Sequence, residues 1–127
     1  MLKEIIKTKQ IQVPPYGDYV TFVYSNSYDK IIGFAKRDSI TRRDLKDLES
    51  RDYVGYHLPL EKGGYYLVVM KNSDKYEEID TITHEVDHLV TDILHDAGVR
   101  VSRKNDEAHA HLTGYLNKEF FKFKDGK

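Results

Sequence analysis

Seven apolar residues, Ile79, Ile82, Val86, Leu89, Val90, Ile93 and Ala97, recur at helical spacing between Glu77 and Ala97, and Gly98 follows where a helix stop belongs. A stripe of that length commits this part of the chain to a helix with one face on a core. A second pattern, Ala108, Leu112, Leu116, Phe120 and Phe123, predicts another helix from about Asn105 or Asp106 to Phe123, capped by Asn105 or Ser102. Up to about residue 72 the signals change. Tyr19 to Tyr24 is β-branched and aromatic, Ile31 to Ala35 follows the turn-like Ser25-Asn26-Ser27, and the apolar runs 53–58 and 65–70 flank the turn Pro59 to Gly64. These read as strands of a meander, the last two forming a hairpin. Pro14-Pro15 and Gly17 break the chain ahead of the first strand, leaving residues 9–13 as an edge strand or a loose arm. Ile40, Leu45 and Leu48 among charges, with Thr41 three residues ahead of Asp44, predict a short surface helix between Ser39 and Glu49. The expected fold is α+β, one domain over residues 1–127. Residues 1–76 form a small, mostly antiparallel sheet with a short helix, and residues 77–127 form two long C-terminal helices.

Composition narrows the chemistry. Net charge is -1, with 20 Lys+Arg against 21 Asp+Glu, so no global field draws the chain onto phosphate backbones and no nucleic-acid partner is expected. The ending Lys118 to Lys124 mixes aromatics with base and reads as the amphipathic end of a docked helix. No apolar run has the length of a signal peptide or a membrane span, so a cytoplasmic protein with no membrane partner is expected. Cysteine is absent, so any transition metal must be held by His and carboxylate.

The first long helix contains His84-Glu85-Val86-Asp87-His88, an HExxH sequence. Positions four apart lie one turn apart on one helix face, so both imidazoles can meet one ion while Glu85 stands beside it. Neutral imidazole suits Zn2+, and a site with an open position lowers the pKa of bound water to about 7, where Glu85 can take its proton. From this chain's own frequencies a chance match has a probability of roughly 2%, so its position in the best helix matters more than its occurrence. On a helical wheel His84, His88, Thr91 and His95 lie opposite the apolar stripe. That stripe is either a solvated polar face or a metal site with a second layer over it. His95 is about 10 Å further along the axis at 1.5 Å per residue, too far to share the ion.

Glu107 lies 19 residues after His88 (107 − 88), in the first turns of the next helix, and the loop from Gly98 to Lys104 is long enough to fold that helix back. It is the candidate third zinc ligand, the alternative being an acid that favours a helix N-terminus. His111 and Gly114 are expected on the same face, the glycine permitting close helix approach. His57, in a strand, is expected to lie far from the motif and has no assigned role.

His84-Glu85-x-x-His88 followed by Glu107 in Asn105-Asp106-Glu107-Ala108 resembles the gluzincin clan of zinc metallopeptidases. The stretch from Thr83 to Leu116 is similar to small zincin-like proteins encoded by bacteriophages and prophages, and the resemblance covers roughly residues 64–123. It implies a zincin-like fold in which a small twisted sheet lies beside the active-site helix. Its edge strand, 53–58 or 65–70 here, pairs with an extended peptide substrate. It also implies zinc on His84, His88 and Glu107, Glu85 as general base, peptide-bond hydrolysis, and, for a phage protein, action in the host cytoplasm. Where many gluzincins carry Asp one turn after the glutamate ligand this chain has His111, leaving Asp92 or Asp87 to orient a ligand histidine. His111, His109 and Tyr115 are the nearby groups able to polarise a carbonyl; His111 has the best angle, and His109 reads as a packed structural residue. Two other functions compete: a zinc-binding protein without turnover that engages a host protein, and a metal-free interaction module.

Overall fold

The computed structural model describes residues 3–100, 102–103 and 106–127. The chain runs β1 (Ile6–Val13), β2 (Asp18–Ser25), α1 (Tyr28–Arg37), α2 (Arg42–Leu48), β3 (Gly55–Pro59), β4 (Tyr65–Met70), α3 (Lys75–Asp96) and α4 (Asp106–Lys124). The fold is α+β, as the two periodicities require. The four strands form one sheet in the order β1-β2-β4-β3, in which β1 pairs antiparallel to β2 and β3 antiparallel to β4, while the central β2 and β4 run parallel.

That central pair replaces the expected meander. A parallel pair needs a crossover, which α1, α2 and β3 supply, and its strands are buried on both faces. Val20, Phe22, Tyr24, Tyr65, Leu67 and Val69 face a core built with α3 and α4, and Val23, Tyr66 and Val68 face one built with α1 and α2. Residues 31–35, expected as a strand, lie in α1 instead. Ser27 caps it by accepting from the Lys30 N–H at 3.2 Å, Asp29 sits in its first turn, and Lys36 and Arg37 in its last. The α2 prediction holds: Thr41 caps it by accepting from the Asp44 N–H at 3.3 Å. The hairpin also holds, with β3 at the sheet edge and β4 inside it, so of the two candidate edge strands only 53–58 is one. Residues 9–13 belong to β1, the opposite edge.

In α3, Ile82, Val86, Leu89, Val90, Ile93 and Leu94 are buried, and the helix ends at Gly98, whose φ of 78° suits a residue without Cβ. The expected α4 cap Asn105 lies outside the described residues. Leu112, Leu116, Phe120 and Phe123 bury that helix, and the Phe120 ring meets Phe22 edge-on at 5.1 Å. Its far end is tied down by polar contacts: Lys124 Nζ lies 3.2 Å from the buried Glu78 carboxylate, which also accepts from Tyr24 Oη and the Asn72 N–H at 2.7 Å each. No described helix is long and apolar enough to cross a membrane.

Candidate metal centre

The His84 and His88 side chains stand on the exposed face of α3 with their Nε2 atoms 3.2 Å apart. Two nitrogens bound at 2.0–2.1 Å on a tetrahedral ion are about 3.3 Å apart, so this pair has the spacing of one edge of a zinc site. Without an ion, the same distance is that of a hydrogen bond between neutral rings.

Glu85 points from the same turn toward the sheet. Its side chain is 13% exposed, and its Oε1 accepts from His57 Nδ1 at 2.9 Å. A carboxylate only accepts, so the bond places a proton on His57 Nδ1. The approach depends on Gly55 in β3: a Cβ there would come within 2.6 Å of Thr81 Cγ2 and 2.7 Å of Glu85 Cγ. His57 Nε2 faces Asp92 Oδ2 at 3.7 Å, and its ring stacks on His88 with centroids 5.0 Å apart and planes 10° apart. The hydrogen bond to Glu85 holds the His57 pKa above its usual value; partial burial opposes this, and the charges of Glu85 and Asp92 add to it.

His57 is thus the residue that sequence reasoning missed. Its 28-residue separation from Glu85 spans a hairpin and a helix start, so no local pattern joins them. The available signal was a histidine in the strand predicted to form the sheet edge beside the motif helix. That strand borders two hollows. A groove of about 460 Å³ separates it from α2, lined in part by Tyr56, His57 and Glu61, and a smaller one of about 250 Å³ is lined by Gly55, Tyr56, His57 and Glu85.

The expected third ligand is placed differently. α4 does fold back on α3, and His109 Nε2 lies 3.2 Å from Asp87 Oδ1, so the first turns of α4 reach the level of the HExxH turn. The Glu107 side chain, however, is 89% exposed, and its carboxylate meets His111 Nε2 at 3.4 Å instead of the imidazole pair. Among the described residues no group of three or more His, Asp or Glu converges to hold a metal. The cause is the apolar face of α4. At about 100° per residue, Glu107 and Gly114 lie close to half a turn from the mean direction of Leu112, Leu116, Phe120 and Phe123. Burying those four turns Glu107 outward, and Gly114, expected at a close helix contact, is exposed with open space around it.

His111, expected beside the site, lines a cleft with Pro14, Pro15, Tyr16, Leu112 and Tyr115, and its side chain is 83% exposed. Its Nε2 meets the outward Glu107 carboxylate, whereas the His84 and His88 nitrogens meet each other. His109 is half-buried between Asp87 and Thr113, the structural position expected of it. Of the two carboxylates expected to support a ligand histidine, Asp87 is engaged by His109 and Asp92 faces His57. Among the described residues no layer covers His84 and His88 from outside, since both remain exposed; His57 stands at their flank. No protein-family model matches the chain, and neither a curated protein nor a solved structure gives a significant match.

Proposed function

We propose that this chain is a zinc-dependent peptide hydrolase of the HExxH type, with His84 and His88 as ligands and Glu85 as general base. The observation that carries the reading is the pair of Nε2 atoms 3.2 Å apart on α3 with a largely buried Glu85 between them in sequence. Zinc, when bound, polarises a carbonyl and makes water a nucleophile near neutral pH. The chain's own residues do the rest. Glu85 takes a proton from the attacking water and returns it to the leaving amine. Its side chain is held between Gly55 and His57, so little entropy is lost in aiming it. Glu107 is the third ligand in this reading, and because it points outward from a helix already level with Asp87, reaching the pair takes a turn of the α4 start as well as of its side chain. The substrate is an extended peptide lying along the free edge of β3, beside the grooves that border Tyr56 and His57. The gluzincin resemblance, and with it a phage protein working in the host cytoplasm, belongs to the same proposal.

The test is zinc content by elemental analysis of untagged protein, followed by cleavage of a diverse peptide library. About one zinc per chain, with cleavage lost and zinc kept in Glu85→Gln, is expected; a chain that takes up no zinc ends the reading. A second function, zinc binding without turnover in a protein that engages a host protein, is favoured by the bond that occupies Glu85 Oε1 and by the outward Glu107. Zinc uptake with no cleavage in the library would select it.

A further inference from the structure

The contacts of His57 serve two different members of the HExxH turn at once. Its Nδ1 donates to Glu85 at 2.9 Å, and the face of the same ring lies on His88 at 5.0 Å. A side chain kept only for packing has no need of both. Its own orientation is over-determined: β3 anchors the backbone through the His57–Leu67 register position, Gly55 sets the distance to α3, and Asp92 faces the remaining ring nitrogen at 3.7 Å.

We infer that His57 is a positioning residue for this centre, fixing the Glu85 carboxylate through its Nδ1–H and the His88 ring through stacking. The inference rests on the proposed metal centre. Its physical content is that two flexible side chains on an exposed helix face are pre-set by one group from the sheet edge. The Nδ1–H contact leaves Glu85 Oε2 as the oxygen able to face a water at the imidazole pair, since Oε1 is already engaged. The ring contact limits the rotation of His88 and reduces what a bound ion must order. Because the group lies on the strand that borders the grooves, the same residue couples peptide seating on β3 to the aim of the base.

Two substitutions in the full chain separate the functions. His57→Asn keeps a short N–H donor near the Nδ1 position and removes the ring; His57→Phe keeps the ring and removes the donor. Zn2+ affinity is measured by competition with a chromophoric chelator, and hydrolysis with fluorescein-labelled casein at saturating zinc, with melting temperature recorded for each variant. The expected result is a crossed pattern. His57→Asn weakens Zn2+ binding several-fold while keeping kcat within about threefold; His57→Phe keeps Zn2+ affinity and loses 10–100-fold in kcat, the usual range for groups that orient a metal site. KM moves less than kcat in both. A merely structural role would lower both quantities together, in step with the melting temperature, and that result overturns the inference. So does a parent that binds zinc and cleaves casein while both variants behave like it. If the parent binds zinc without cleaving, the affinity arm alone decides: weakening in Asn but not in Phe upholds the ring contact, and equal affinities overturn it. A parent that binds no zinc overturns the metal centre itself and this inference with it. Should either variant fold poorly, the imidazole nitrogen resonances of the unmutated His57 supply the second measurement. They must shift in Glu85→Gln, and an unchanged Nδ1 signal there overturns the contact.

Discussion

The sheet carries two helices on each face, and the α1/α2 side and the seam between α3 and β3 handle their polar groups in opposite ways. On the α1/α2 side, side chains that leave water are satisfied by the scaffold. Tyr66 Oη donates to Asp38, whose carboxylate also meets Lys62 at 3.2 Å; buried Asp44 accepts from the Glu61 N–H at 2.8 Å; Tyr53 Oη donates to the Leu48 carbonyl at 3.1 Å. Each of those bonds fixes one element to another and leaves nothing to rearrange. On the α3 side, along the seam with β3, titratable groups satisfy one another: His57 with Glu85 and Asp92, His84 with His88, Asp87 with His109. These pairs lie along an open seam, where exposed His84, His88 and Asp87 meet water. A polar group that ends on backbone or a buried partner builds structure, whereas a chain of mutually paired titratable groups at an open seam is equipped for chemistry.

Core truncation gives the largest expected effect and tests whether the sides are coupled. Phe120→Ala, at a fully buried ring, should cost about 3–5 kcal/mol in urea denaturation and, if Glu107 on α4 is the third ligand as proposed, also weaken Zn2+ binding. Leu48→Ala, fully buried on the other face, should cost about 2–5 kcal/mol with no change in Zn2+ affinity of the folded fraction. Equal losses of Zn2+ affinity would erase the distinction between the faces.

Two glycines sharpen it further. A methyl at Gly55 would collide with Thr81 and Glu85, so Gly55→Ala should lose about 1–3 kcal/mol through overpacking and abolish the proposed cleavage. Gly33, mid-helix in α1, has its nearest neighbour at 3.4 Å, the flexible Arg37 guanidinium, and Gly33→Ala should gain about 0.5–1 kcal/mol through helix propensity. Thermal melts that moved both variants in the same direction would contradict this account.

Tyr66→Phe removes one hydrogen bond and leaves Asp38 with Lys62, so about 1 kcal/mol should be lost with zinc content untouched. The smallest effect concerns Asp18. Burial, and then the nearby charge of Asp96, raise its pKa, so the fold prefers its protonated form. That contribution is complete below the unfolded value of about 3.9 and is lost as pH rises through the higher folded value. Asp18→Asn should therefore raise the melting temperature slightly at pH 7, with the gain vanishing near pH 3. A gain that persisted at pH 3 would rule out ionisation as its source.

What the sequence made legible follows from how local each signal is. α3 and α4 announce themselves because their apolar residues repeat over about four turns or more, and Thr41 and Gly98 mark ends through their own chemistry. The strand reading of residues 31–35 failed because β-branched residues suggested a sheet, while the Ser27 cap and a buried Ile31, Ile32 and Ala35 stripe favour a helix. The meander failed because near-continuous apolar runs such as Val20 to Tyr24 mean burial on both faces, which a sheet with one wet side does not provide. Within the site, His84, Glu85 and His88 share one helix turn, so their mutual geometry could be derived. Glu107 and His57 come from other elements. A wheel centred on α3 says nothing about how α4 is rotated, and the α4 apolar face, which does set that rotation, points Glu107 outward.

The anchoring of α4 at its far end has a mechanical meaning. Lys124 on Glu78, with Phe120 and Phe123 beside it, makes that end a pivot, while burial lessens toward Ala108 and the helix start. Glu107 stands about 20 Å from Phe120 along the axis, so a tilt of about 5° carries it about 1.7 Å sideways. The helix is then a lever with its short arm in the core. Any small angular change at the anchored end is therefore magnified at the helix start, where Glu107 and His111 stand.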